Sequence, residues 1–173
     1  MIELKEISYD NLKAVIKLSD TLSEQDKKHV APNVVSLAEA YLNYNIAWPR
    51  AITVDNEVVG FVMLGLDNYI AEEKDWPVYF LWRFMIATEH QRKGYGKQTL
   101  ELLVQKCKEE NIRYLYVSST RIDPMPYQMY INYGFEDTGL VDDGESVLKL
   151  KIIYSNQPNK RAMFPSLFFY PFI

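Results

Sequence analysis

The chain has 173 residues, 48% hydrophobic and 24% charged, the balance of one folded domain whose core needs neither disulfide nor structural metal. A formal net charge of −4, with no run of five basic residues, argues against a nucleic-acid partner held by phosphate neutralisation. The lone Cys107 excludes an internal disulfide, two histidines are too few for a zinc site of the N/S kind, and no apolar run approaches the ~18 residues of a membrane helix; with a start too charged for a signal peptide, the expected location is the cytoplasm.

Met1 to Ile7 alternates apolar and polar residues and is predicted as a strand. A helix follows from Asp10, capped by Ser8 or Asp10, with Leu12, Val15, Ile16 and Ser19 on one face. Thr21 to Pro32 is polar and reads as a loop or a broken helix. Ser36 and Glu39 have capping-box spacing and open a second helix with the stripe Leu37, Ala40, Tyr41, Tyr44, which stops near Trp48-Pro49. Arg50 to Val54 and Val58 to Leu66 form a hairpin about Asp55-Asn56-Glu57. Asp67 to Asp75 is an acidic loop.

Val78 to Ala87 is nearly all apolar or aromatic, the pattern of a strand buried on both faces. Gln91 to Lys97 then opens a helix with the buried stripe Leu100, Leu103, Val104, Cys107, closed at Asn111, and Arg113 to Ser119 completes a right-handed βαβ unit. On that stripe Cys107 reads as core, not nucleophile. His29 and His90 read as exposed loop residues. Asp123 to Tyr133 is a short helix that tolerates Pro124 and Pro126 only in its first turn and ends at Gly134. Phe135 to Val141 and Ser146 to Ile153 close the domain as a hairpin about Asp142-Asp143-Gly144. Every acidic residue precedes Ser155. Residues 155–173, with three prolines among many aromatics, form a separate apolar extension to a domain of residues 1–154: it packs across a partner subunit, making a homodimer, or is non-native.

The strand, glycine turn and helix around Gln91-Arg92-Lys93-Gly94-Tyr95-Gly96-Lys97 form a phosphate-binding arrangement. Glycines let the backbone turn tightly, unpaired amides of the first helical turn face outward, and Arg92, Lys93 and Lys97 add cations at the rim. A glycine pair alone is as well read as an ordinary turn.

A second motif lies one helix and one strand downstream: Met129-Tyr130-Ile131-Asn132-Tyr133-Gly134-Phe135. Together the two resemble the signatures of the GNAT superfamily of acetyl-CoA-dependent N-acetyltransferases, Arg/Gln-x-x-Gly-x-Gly/Ala and Leu-Tyr-x-x-x-Gly-Phe, in an element order shared over about residues 1–153. Asp123 and Pro126 stand where that family often has Asn and Ala. Within the superfamily, Leu81-Trp82-Arg83-Phe84-Met85-Ile86 followed by the Gln91 loop is similar to bacterial spermine/spermidine acetyltransferases of the BltD type.

The resemblance implies an α/β fold with a mixed, mostly antiparallel sheet, splayed in its middle and flanked by helices. Acetyl-CoA would lie in the splay, with Phe84, Met85 and Ile86 pairing with its pantetheine amides and the loop Gln91, Arg92, Lys93, Gly94, Tyr95, Gly96, Lys97 on its pyrophosphate. A bulge in the fourth strand would offer the amide of Met85 or Ile86 to the developing oxyanion. Tyr130 would return a proton to the leaving thiolate, although composition alone reads it as one of thirteen packed tyrosines. The acceptor is a small-molecule primary amine, first of all a polyamine, attacking directly with no covalent enzyme intermediate and no metal. Such an amine is neutral only ~0.1% of the time at pH 7, so a base or water wire is required. Trp82 stands where a strand carboxylate would be convenient. That leaves Asp67, Glu72, Glu73 and Asp75, or waters held by backbone carbonyls. The acidic loop, with Trp82, is the candidate acceptor surface, or it is a solvated loop. The alternatives are another amine substrate (a peptide N-terminus, an amino acid, an aminoglycoside) and a silent acyl-CoA-binding module.

Overall fold

A computed structural model of the chain describes residues 1–24, 27, 30–68, 70–121 and 126–154. Strands β1 (Ile2–Glu6), β2 (Ala47–Val54), β3 (Glu57–Gly65), β4 (Val78–Ile86), β5 (Tyr114–Ser119), β6 (Glu136–Asp142) and β7 (Glu145–Lys151) form one sheet in the order β1-β2-β3-β4-β5-β7-β6. Among the described residues only β4 and β5 pair in parallel, across a helical crossover. Strand alternation sends Phe61, Met63 and Met85 to one face, covered by α1 (Tyr9–Lys17) and α2 (Asn33–Leu42). Val62, Leu64, Leu81 and Leu115 go to the other, under α3 (Tyr95–Glu109) and α4 (Tyr127–Tyr133). Among the described residues, no helix is long and apolar enough to cross a membrane.

Most elements fall where the sequence places them; α2 does not. It begins at Asn33 behind Pro32, and Ser36 lies inside it with its hydroxyl back-bonded to Pro32 O at 3.5 Å. The buried face is Asn33, Ser36 and Ala40, while Tyr41 and Tyr44 are 80% and 84% exposed. Burying Asn33 costs little because its side-chain amide donates to Val15 O at 2.8 Å. Trp48-Pro49 lies within β2 rather than ending a helix. β1 reaches only Arg50, so Pro49 faces no neighbour on that side and its missing N–H is tolerated. His29, Asp123, Pro124 and the extension 155–173 lie outside the described residues.

The sheet opens between β4 and β5. They pair from Val78–Tyr114 to Leu81–Val117 and no further: β4 continues along β3 to Ile86, and β5 continues along β7 to Ser119. At the point of parting β4 has a bulge, because Leu64 faces Leu81 and Met63 faces Arg83, leaving Trp82 as the extra residue. A bulge bends and twists its strand, which turns β4 away from β5. The expected bulge therefore lies at Trp82, upstream of Met85 and Ile86. It directs two successive side chains, Trp82 and Arg83, toward the α1/α2 face, where Arg83 reaches Glu39 at 2.9 Å. The apolar run of β4 is accordingly only half-buried from Trp82 to Phe84, against the expectation of burial on both faces.

Candidate active site

The splay is the mouth of a cleft of about 1460 Å³. Its β4 wall has a definite polarity. Ala87 N–H donates to Val59 O at 2.9 Å, so alternation turns the amides of Met85 and Arg83 toward β3 and those of Phe84 and Ile86 toward the cleft. Met85, proposed from sequence as an amide donor, is thereby excluded from that role, and its side chain is buried under α1 and α2. Phe84 and Ile86 retain free edge amides, as in a strand awaiting a partner.

At the end of β4 the chain turns into α3. Gln91 Nε2 donates to Ile86 O at 3.1 Å and ties the loop to the strand. Arg92 (φ 58°) and Gly94 (φ 82°) both take left-handed conformations. The first intrahelical bond is Gln98 N–H to Gly94 O, which leaves the amides of Tyr95, Gly96 and Lys97 without intrahelical acceptors. Arg92, Gly94, Gly96 and Lys97 line the cleft; Lys93 and Tyr95 are not among its lining residues. Tyr95 instead packs into the core. A Cβ at Gly96 would sit in ordinary contact with Met129 Sδ at 3.5 Å and Phe84 Cζ at 3.8 Å, so the first turn of α3 lies close against α4 and β4. Unpaired amides, a helix N-terminus and two cations are the chemistry by which this part of the cleft could take a phosphorylated ligand. His90 also lines it, more covered than the exposed loop residue read from sequence, with Nε2 3.5 Å from Glu57 Oε1.

The opposite wall is α4. Gly134 (φ 117°) reverses the chain, Tyr130 O accepts from the N–H groups of Gly134 and Phe135, and the Phe135 ring lies 5.3 Å from that of Tyr130. The Tyr-x-x-x-Gly-Phe spacing is thus one packed unit that fixes the tyrosine. Tyr130 is 2% exposed and lines the cleft, and its hydroxyl bonds to none of the described residues. Burial first, and the charge of Glu145 second, push its pKa well above the ordinary phenol range. The phenol therefore stays protonated at neutral pH, the state a proton donor requires.

The cleft is also lined by Asp67, Trp82, Ser118, Asp142, Asp143 and Glu145, with Trp82 packed against the cluster under α1 and α2. Glu72 and Glu73 do not line it, and Glu72 pairs with Lys74. Asp75, a base candidate from sequence, is 4% exposed and spent on structure: it accepts from Tyr116 Oη at 2.6 Å and from Lys149 Nζ at 2.7 Å. Ser118 and Glu145 were not legible as site residues, because Asp142-Asp143-Gly144-Glu145 reads as an ordinary hairpin turn. The pairing of Ser119 with Ser146, at the parted end of β5, carries that turn to the cleft. Cys107, as expected, is buried, and its thiol is pushed up to about 12 by burial and then by the charge of Glu110, the opposite of an activated nucleophile.

Residues 20–126 match the acetyltransferase (GNAT) family, more than half of the chain. The chain is 29% identical over 155 residues to a spermine/spermidine N(1)-acetyltransferase of Bacillus subtilis (strain 168), covering 85% of this chain and 96% of that protein. Two solved structures share the fold: the PaiA N-acetyltransferase of Thermoplasma acidophilum in complex with coenzyme A (TM-score 0.64, 16% identity, 87% of this chain and 99% of that one), and a GNAT acetyltransferase of Elizabethkingia anophelis with acetyl-CoA bound (TM-score 0.55, 17% identity, 87% and 97%). A splayed mixed sheet, a glycine turn opening α3 and a tyrosine fixed across the gap agree with that match, and the chain belongs to the GNAT family of acetyltransferases.

Proposed function

We propose that the chain transfers acetyl from acetyl-CoA to a primary amine of a polyamine such as spermine or spermidine, by direct attack within the cleft. The observation that carries this reading is the unpaired edge of β4 running into the open first turn of α3. The amides of Phe84 and Ile86 suit the pantetheine arm and the oxyanion, and the amides of Tyr95, Gly96 and Lys97 suit the pyrophosphate. Tyr130 protonates the departing thiolate.

Charge distribution favours a polycation. Arg92 and Lys97 line the cleft from the glycine loop and the start of α3, whereas Asp67 lines it from the end of β3 and Asp142, Asp143 and Glu145 from the β6–β7 turn, and the lining cation Arg83 is already matched by Glu39. Such a division of charge suits an anionic cofactor and a cationic acceptor in one cleft. Relatedness to the B. subtilis polyamine acetyltransferase points the same way. The test is release of coenzyme A across a panel of amines. Spermidine and spermine should give the highest kcat/KM, with KM rising steeply with salt. Turnover of a monoamine or an amino acid at equal efficiency contradicts the polyamine assignment, and acetyl-CoA binding with no turnover of any amine indicates the silent module.

A further inference from the structure

On β5 Tyr116 and Ser118 point to the same side of the sheet, and on β7 so do Glu145, Val147 and Lys149, since Tyr116 and Val147 share one core cluster. Two polar pairs lie on this face. One is closed: Asp75 is buried, and Lys149 and Tyr116 occupy it. The other is open. Ser118 Oγ donates to Glu145 Oε2 at 2.5 Å, both residues line the cleft, and Glu145 makes no ion pair among the described residues. Its second oxygen accepts no hydrogen bond from them. Ser118 is also the first residue of β5 past the last β4–β5 pair, which sets the carboxylate at the apex of the splay.

From this placement we infer that Glu145, oriented by Ser118, is the base that accepts the proton of the acceptor ammonium group, an assignment that rests on the acetyltransferase reading of the same cleft. The other carboxylates are committed or misplaced. Glu39 is held by Arg83, Asp75 by Lys149 and Glu72 by Lys74, and Glu73 lies outside the cleft lining. Asp67, Asp142 and Asp143 line the cleft without a hydrogen bond to β5.

The protons balance. An ammonium N–H bond breaks as an O–H bond forms on Glu145, leaving a nitrogen lone pair. That pair forms the N–C bond while the carbonyl π electrons move to oxygen. Re-formation of the carbonyl breaks C–S, and the thiolate takes the phenolic proton of Tyr130. The second nitrogen proton restores Tyr130, and Glu145 gives its proton to water. Two protons leave nitrogen, one to the thiol and one to solvent.

The test uses the full chain with two acceptors, spermidine and a fluorinated primary amine already neutral at the assay pH. In Glu145→Gln, which keeps the Ser118 hydrogen bond, kcat for spermidine at saturating amine should fall by ~10²-fold or more, where lost charge attraction alone would raise KM, while kcat for the neutral amine changes by less than ~3-fold, with acetyl-CoA affinity unchanged. In Glu145→Ala, added formate should restore part of the spermidine turnover, an effect that a packing defect does not produce. Equal losses for both amines, an unaltered spermidine rate, or no rescue by formate overturns the assignment. If the unmodified chain turns over no amine at all, the acetyltransferase reading itself has failed, and this assignment with it.

Discussion

Tyr130 and Asp75 are both buried polar residues, and their surroundings give them opposite duties. The hydroxyl of Tyr130 bonds to none of the described residues although the ring is enclosed, and the residue lines the cleft, where a ligand can meet it. Tyr130→Phe should lower kcat by ~10²-fold with acetyl-CoA affinity unchanged, read by steady-state kinetics and calorimetry. Because its pKa is raised, Tyr130 stays protonated through neutral pH, and no loss of rate below ~pH 10 should trace to it. An unchanged kcat in the variant removes the donor role. Asp75 has every partner it needs. Burial opposes its charge, but hydrogen bonds from Lys149 and Tyr116 and the charge of Lys149 outweigh burial and hold its pKa below the usual value. Its stabilising effect is therefore complete above the unfolded pKa near 4 and disappears as pH falls through the lower folded value. Asp75→Asn should destabilise the fold by ~3 kcal/mol at pH 7, with a smaller difference near pH 2, measured by denaturant unfolding. A difference independent of pH contradicts this.

Between elements, the decisive event is the parting of β4 from β5, and the close approach of β3 to β4 supports it. A Cβ at Gly60 would stand 2.5 Å from Met85 O and 2.9 Å from Ile86 Cδ1, the first of these being backbone that cannot swing away. Gly60→Ala should cost ~2 kcal/mol in unfolding experiments and weaken acetyl-CoA binding, because Phe84 and Ile86 lie on the segment that must shift. Full stability with full affinity would show that β4 is not so constrained. The order of elements was readable because apolar runs of period two and of three to four residues alternate cleanly along the chain. The start of α2 was not. Ser36 and Glu39 have the spacing of a cap, but the hydrogen bond from Asn33 to Val15 O draws the helix one turn further back, and no local pattern encodes a tertiary partner. The bulge at Trp82 was equally hidden, since a bulge is a property of two paired strands, not of one.

Across the whole molecule, one cleft is lined by cations from the glycine loop and by carboxylates from the end of β3 and the β6–β7 turn, and the proposed reading gives the first group to an anionic cofactor and the second to an amine. The proposed cofactor segment is contiguous in sequence, from Phe84 to Lys97, and the glycine loop points to it. The proposed acceptor side is assembled from Asp67, Trp82, Ser118 and Glu145, on segments far apart in the chain, and only the pairing of β5 with β7 brings the last two together. This is why the sequence offers a candidate motif for the cofactor side and none for the acceptor side. The most direct measurement is a backbone-amide NMR titration of the full chain with coenzyme A. Large shifts are expected at Phe84, Ile86, Gly94, Tyr95, Gly96 and Lys97, with Met85, whose amide faces β3, moving far less. Saturating coenzyme A that leaves those six amides unmoved, or that shifts Met85 most, contradicts binding in the splay.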